Sequence, residues 1–114
     1  MAYRQALGRW GEDRVVRWYR RQGFQVLDRN WRCSRGELDV IVQRGSIVAV
    51  CEVKTRTSLA FGTPAEAVGW QKQRRIRRLA AQWLAEQERS GPVQLRFDVA
   101  EVMGRELRVI EAAF

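Results

Sequence analysis

Histidine is missing altogether from this 114-residue chain. Its absence removes the Ser-His-Asp and Cys-His nucleophilic systems, histidine-ligated zinc, and histidine as a general base. Cysteine is nearly missing too, and Cys33 and Cys51 cannot build a structural zinc site by themselves. They suit a reducing compartment as free thiols, Cys51 as a core residue. No long apolar run exists; the longest uninterrupted stretch is Ile47 to Cys51, far short of the ~20 residues that cross a bilayer. The first residues, Met1 to Gln5, lack the apolar core of a secretory signal, so a cytoplasmic protein without a membrane partner is expected. Any hydrolytic chemistry must therefore run on carboxylates, lysine and a hard, oxygen-seeking metal ion.

Lysine is scarce as well. Lys54 and Lys72 are the only two, leaving nineteen of the 21 basic residues as arginine. A lysine kept at position 54 points to a role there, because a compact ammonium and a planar guanidinium are not interchangeable in a site. The net charge is +8 and the pI about 10.9, which favours a polyanionic partner such as nucleic acid over a merely soluble basic protein. With 46% hydrophobic residues the chain is globular, and its length suits one domain spanning 1–114.

The hydrophobic pattern predicts a helix over about 5–22, with Leu7, Gly11, Val15 and Trp18 on one stripe and Gly23 closing it. A strand over 24–31 follows, then a turn at Cys33-Ser34-Arg35-Gly36 and a hairpin of 37–44 with 47–56. Thr63-Pro64-Ala65-Glu66 reads as a capped helix start with a capping box, leading into a helix to about Arg89 that Gly69 could interrupt. Ile76, Leu79, Ala80, Trp83 and Leu84 form its inward stripe. Strands over 93–103 and 107–112 complete an α-β-β-β-α-β-β order, an α/β fold with a mixed central sheet of about five strands and a helix on each side.

The chemistry gathers on the hairpin. If Gly45 and Ser46 form a two-residue loop, paired positions sum to 91, placing Asp39 opposite Glu52 and Glu37 opposite Lys54. Alternation then turns all four to one face, together with Ile41, Val48 and Val50, while Leu38, Val40 and Val42 share the other with Ala49, Cys51 and Val53. Opposed carboxylates with Cβ atoms roughly 5 Å apart repel unless a positive charge lies between them. A divalent cation, Mg2+ or Mn2+, would supply it, held by Asp39, Glu52 and the Val53 carbonyl. Lys54 would orient the attacking water, with Glu37 as an outer ligand or as the partner of Lys54. The bland reading of the same residues is ordinary cross-strand pairing.

Glu12 either reaches a second metal ion from the first helix or pairs on the surface with Arg9 or Arg17. Arg35, Arg56, Gln71 and Lys72 are candidate nucleic-acid contacts. Trp31 could stack on a base, although packing is the plainer role for it, as for Trp10, Trp18, Trp70 and Trp83.

Gly8-Arg9-Trp10-Gly11-Glu12, Asn30-Trp31-Arg32, Gly36-Glu37-Leu38-Asp39, Glu52-Val53-Lys54-Thr55-Arg56, Phe61-Gly62, Lys72 and Arg96-Phe97-Asp98 together resemble the YraN-like family of small bacterial proteins. The resemblance implies a restriction-endonuclease-like core similar to archaeal Holliday-junction resolvases. It implies Asp39, Glu52 and Lys54 as the catalytic set and Glu12 as the helix-borne acid. Leu38 departs from the wider nuclease pattern, in which proline often precedes the aspartate. By the same analogy the protein would be a homodimer acting on branched or otherwise structured DNA. Three functions remain open: a metal-dependent, structure-selective DNA endonuclease, a non-catalytic nucleic-acid-binding adaptor of the same fold, and a protein-interaction partner in a DNA-processing complex.

Overall fold

A computed structural model describes residues 3–56, 68–89 and 91–114. Its elements run α1 (Tyr3–Arg21), β1 (Gln25–Cys33), β2 (Gly36–Arg44), β3 (Ile47–Arg56), α2 (Trp70–Ala85), β4 (Gln94–Met103) and β5 (Glu106–Ile110), the order expected from the pattern. The five strands lie in one sheet in sequence order. Every neighbouring pair is antiparallel except β3 and β4, which pair in parallel over ten residues from Ile47 with Gln94 to Arg56 with Met103. A parallel neighbour requires a crossover, and α2 lies within it. This mixed α/β arrangement is consistent with a restriction-endonuclease-like fold.

Each face of the sheet carries its own core. Ile41, Val48, Val50 and Val99 pack on one side with Ile76, Leu79, Ala80 and Trp83 of α2. Val40, Val42, Ala49, Cys51, Ala100 and Val102 pack on the other with Val15, Val16 and Tyr19 of α1. β3 is thus covered on both sides, which explains its nearly unbroken apolar run from Ile47 to Cys51. Trp83 is fully buried and donates its indole N–H to Asp28 Oδ2 at 3.0 Å, the satisfied partner a buried indole requires. α1 closes with the Phe24 amide reaching back to the Tyr19 carbonyl at 3.0 Å. No helix among the described residues is long and apolar enough to cross a membrane.

The β2–β3 hairpin takes the expected register: Arg44 faces Ile47 and Val40 faces Cys51, each pair summing to 91. Gly45 sits at φ 60, the left-handed first position of a II′ turn that a side chain would strain. The ladder ends at Val40 with Cys51, and the expected alternation ends with it. Leu38 was assigned by parity to the face of Val40 and Val42, yet it joins the α2-side core. Beyond Val40 the partner of β2 is β1, through Trp31 with Leu38 and Arg32 with Glu37.

Two further expectations change, and one has no counterpart to compare. The capping box at Thr63-Pro64-Ala65-Glu66 lies outside the described residues, and Gly69, expected to interrupt a helix, is instead the residue that precedes α2. Trp70 and Trp10 are not core residues: they are 63% and 42% exposed. Trp70 lies thirteen residues before Trp83, about 140° around the helix from the buried stripe at 3.6 residues per turn. Trp31 does pack against the α2-side core.

Candidate functional site

The end of the β2–β3 ladder opens into a cleft lined by Glu37, Asp39, Glu52, Lys72, Arg75 and the apolar side chains of Ile76 and Leu79. Asp39 and Glu52 both line this cleft, one position beyond the last β2–β3 pair, Val40 with Cys51. Asp39 Oδ2 accepts the Val53 amide N–H at 2.9 Å, so the carboxylate takes a donor from the neighbouring strand where the backbone pairing stops. A side chain fixed in this way has little rotational freedom left, which suits a group that must hold a set geometry.

The charge balance around Glu52 is unusual. Its Oε1 lies 2.6 Å from Lys72 Nζ and 3.4 Å from Lys54 Nζ, so one carboxylate oxygen receives two ammonium groups. Burial, and then the charge of Glu52, push the Asp39 carboxyl up to about 7; the Val53 N–H pulls it the other way, and Glu12 and Glu37 add to the rise. Burial, with the adjacent Lys72, holds the Lys54 ammonium below the ordinary lysine value against the pull of Glu52. Burial also works against Lys72, but its bond to Glu52 leaves it raised. The two lysines shift in opposite directions, Lys54 down and Lys72 up, while both ammonium groups lie on the same Glu52 oxygen.

The remaining sequence-derived candidates fall into distinct places. Glu12 accepts from Asn30 Nδ2 at 2.9 Å and stands 3.8 Å from Arg29; its side chain is 13% exposed, and its charge reaches Asp39. Glu37, expected to pair with Lys54, pairs instead with Arg32 at 3.0 Å, because β1 rather than β3 supplies its cross-strand neighbour. Arg56, expected to contact nucleic acid, is turned onto Glu101 at 3.1 Å in a largely buried pair. Arg35 and Gln71 border a separate groove along α2. The contact of Lys72 with Glu52 was not read from the sequence; its signal was the retention of just two lysines in an arginine-rich chain.

Glu12 owes its place to the close approach of α1 to β3. A Cβ added at Gly11 would run into Thr55 Oγ1 and stand 3.4 Å from Thr55 Cβ. Gly11→Ala is expected to destabilise the protein by about 1–3 kcal/mol through this overlap, despite alanine's better helix propensity. In a Thr55→Ala background the overlap is gone, and the same change should instead stabilise by about 0.5–1 kcal/mol. Thermal melts of the four proteins give the coupling; equal effects of Gly11→Ala in both backgrounds would refute the contact.

Among the described residues no three His, Cys, Asp or Glu side chains stand close enough to hold a metal ion by themselves. Magnesium is commonly bound through one or two carboxylates, with water and substrate phosphates completing the octahedron. Asp39 and Glu52 are the two carboxylates that line the cleft near each other's charge. Lys72 Nζ and Lys54 Nζ both lie on Glu52 Oε1, so an ion taking that oxygen would have to displace an ammonium group.

Comparison with known proteins shows a match of residues 11–102 to the family described as Uncharacterised protein family UPF0102. A UPF0102 protein of Nocardia farcinica is 54% identical over 101 residues, covering 88% of this chain and 78% of that protein. A UPF0102 protein of Frankia casuarinae is 52% identical over 99 residues, covering 87% and 83%. One from Rhodococcus opacus is 48% identical over 103 residues, covering 90% and 86%.

Proposed function

Because this chain belongs to the uncharacterised protein family UPF0102, whose description names no activity, we propose a function from the site together with the resemblance to archaeal Holliday-junction resolvases: a metal-dependent, structure-selective DNA endonuclease. The observation that carries this reading is the meeting of Asp39 and Glu52 in one cleft with two lysines on Glu52. Phosphodiester hydrolysis needs an activated water, a stabilised anionic transition state and compensation of charge at the leaving oxygen. A Mg2+ or Mn2+ ion bound by Asp39, Glu52 and the Val53 carbonyl would supply Lewis acidity and lower the pKa of a bound water.

The chain's own residues do the rest. Asp39 is oriented by the Val53 amide. Lys54, held by Glu52 and kept easy to deprotonate by burial and Lys72, orients the attacking water and takes part in its proton transfer. Lys72 offsets the paired carboxylates and then meets the phosphate charge of the substrate. Glu12 adds negative charge from α1.

Titration calorimetry with Mn2+ and Mg2+ on the wild type and on Glu52→Gln tests the reading, alongside cleavage of branched, flapped and single-stranded DNA. The expected result is saturable metal binding weakened at least tenfold by the substitution, with metal-dependent cutting. A wild type that takes up neither ion and cuts none of these substrates would overturn it. The adaptor reading, favoured by the lack of a three-acid cluster among the described residues, would then stand.

A further inference from the structure

Beside the acid–lysine cleft, α2 and the β1–β2 turn enclose a groove of about 680 Å³. Arg35 from the turn faces Trp70, Arg74, Arg75 and Arg78 of α2 across it, and among the described residues no acid lines it. The groove and the cleft are adjacent, with Arg75 and Leu79 lining both. Trp70, Arg74 and Arg78 follow one another at four-residue spacing, a single ridge of the helix. The Arg74 guanidinium lies 5.7 Å from the Trp70 ring centroid.

Helix stability does not explain these residues. A helix N-terminus favours acids, yet the first turn of α2 has none, and Lys72, Arg74 and Arg75 crowd that end. Arg74 and Arg78 are like charges at i,i+4, which repel. A tryptophan 63% exposed among them adds apolar area in contact with water. An anion bearing flat rings relieves all three: phosphates answer the arginines, and a base covers the indole. A duplex turns its base faces inward and offers an indole nothing to stack on, whereas an unpaired strand offers every base.

We propose that this groove binds an unpaired nucleic-acid strand, with a base stacked on Trp70 and phosphates on Arg74, Arg75 and Arg78. The strand then runs past Arg75 into the cleft of Asp39 and Glu52. This last step rests on the endonuclease reading, and it makes the preferred substrate a DNA with a single-stranded arm; binding in the groove does not depend on cleavage.

The test is fluorescence anisotropy of a labelled oligothymidylate and of a blunt duplex of equal length, in EDTA, across several salt concentrations. The wild type should bind the single strand more tightly. Trp70→Ala should weaken that binding roughly five- to a hundredfold, with Trp70→Phe retaining most of it and duplex binding little changed. Arg78→Gln should reduce the slope of log affinity against log salt by about 0.7 for the single strand. Equal binding of both forms, an unaltered Trp70→Ala, or a Trp70-dependent preference for anionic lipid vesicles would overturn the proposal. Because no metal is present, loss of groove binding leaves the endonuclease reading intact. Strand binding by a protein that never cuts would defeat that reading alone.

Discussion

Asp39→Asn is expected to abolish cleavage and yet make the protein harder to melt above neutral pH. The asparagine oxygen can still accept the Val53 N–H, so the geometry is kept while the charge is lost. In the wild type, burial and Glu52 hold the Asp39 carboxyl at about 7. An unfolded aspartate titrates near 4, so between those values the folded state keeps a proton that the unfolded state has released. Stability contributed by that proton is present below the unfolded value and is lost as pH rises through about 7. Asparagine has no proton to lose. Near pH 4 the two proteins should melt together; at pH 8, in EDTA, the variant should melt several degrees higher, at about 4–8 °C per kcal/mol for a small domain. Cleavage should fall by at least about a thousandfold, equivalent to about 4 kcal/mol of lost transition-state stabilisation. A variant no more stable than wild type at pH 8 would show that the carboxylate is not strained in this way.

The second large effect lies away from the cleft. Asp98 is fully buried on β4 and accepts from Arg96 Nε at 3.0 Å, Arg96 Nη2 at 2.9 Å, Tyr19 Oη at 2.6 Å and the Ala112 amide at 3.0 Å. Burial, then the nearby Cys51 and Asp98, push the Tyr19 phenol far above its ordinary value, so it remains a donor. One carboxylate thereby joins α1, β4 and the segment after β5. Arg96→Met removes its cation and leaves a buried charge, at an expected cost of about 3–5 kcal/mol. The total stability of such a domain is about 5–15 kcal/mol, and Tm should fall by roughly 15 °C or more. Adding Asp98→Asn to Arg96→Met removes the stranded charge and should restore a large part of the loss. If Arg96→Met melts within about 1 kcal/mol of the wild type, the network does not have this structural importance.

The hairpin was legible because its signals are local. Two β-branched runs around Gly45-Ser46 fix the register as far as Val40 with Cys51, and Asp39 and Glu52 line one cleft just beyond that pair. Element order followed from the same short-range patterns, and membership of UPF0102 agrees with the resemblance drawn from the spaced motifs. Legibility stopped where a second neighbour takes over. Extending the 91 rule past Val40 gave Glu37 to Lys54 and Leu38 to the α1 side, whereas β1 claims the one and the α2 core the other. The Asp98 network joins residues up to 79 positions apart, and no spacing announces it. Trp70 was misplaced because tryptophan is usually buried, although its angle from the Ile76–Trp83 stripe already argued against that.

The parallel pairing of β3 with β4 also bears on how the protein assembles. Asp39 and Glu52 meet through contacts close in sequence, whereas Lys72 belongs to the crossover, whose closure brings Ile47 beside Gln94. Long loops close after short hairpins, so the opposing carboxylates come together with Lys54 on the same strand but before Lys72 arrives. The nascent hairpin therefore carries the carboxylates' repulsion without the charge that Lys72 adds in the finished molecule. Its early folding should be hastened by mild acid or by dissolved divalent cations.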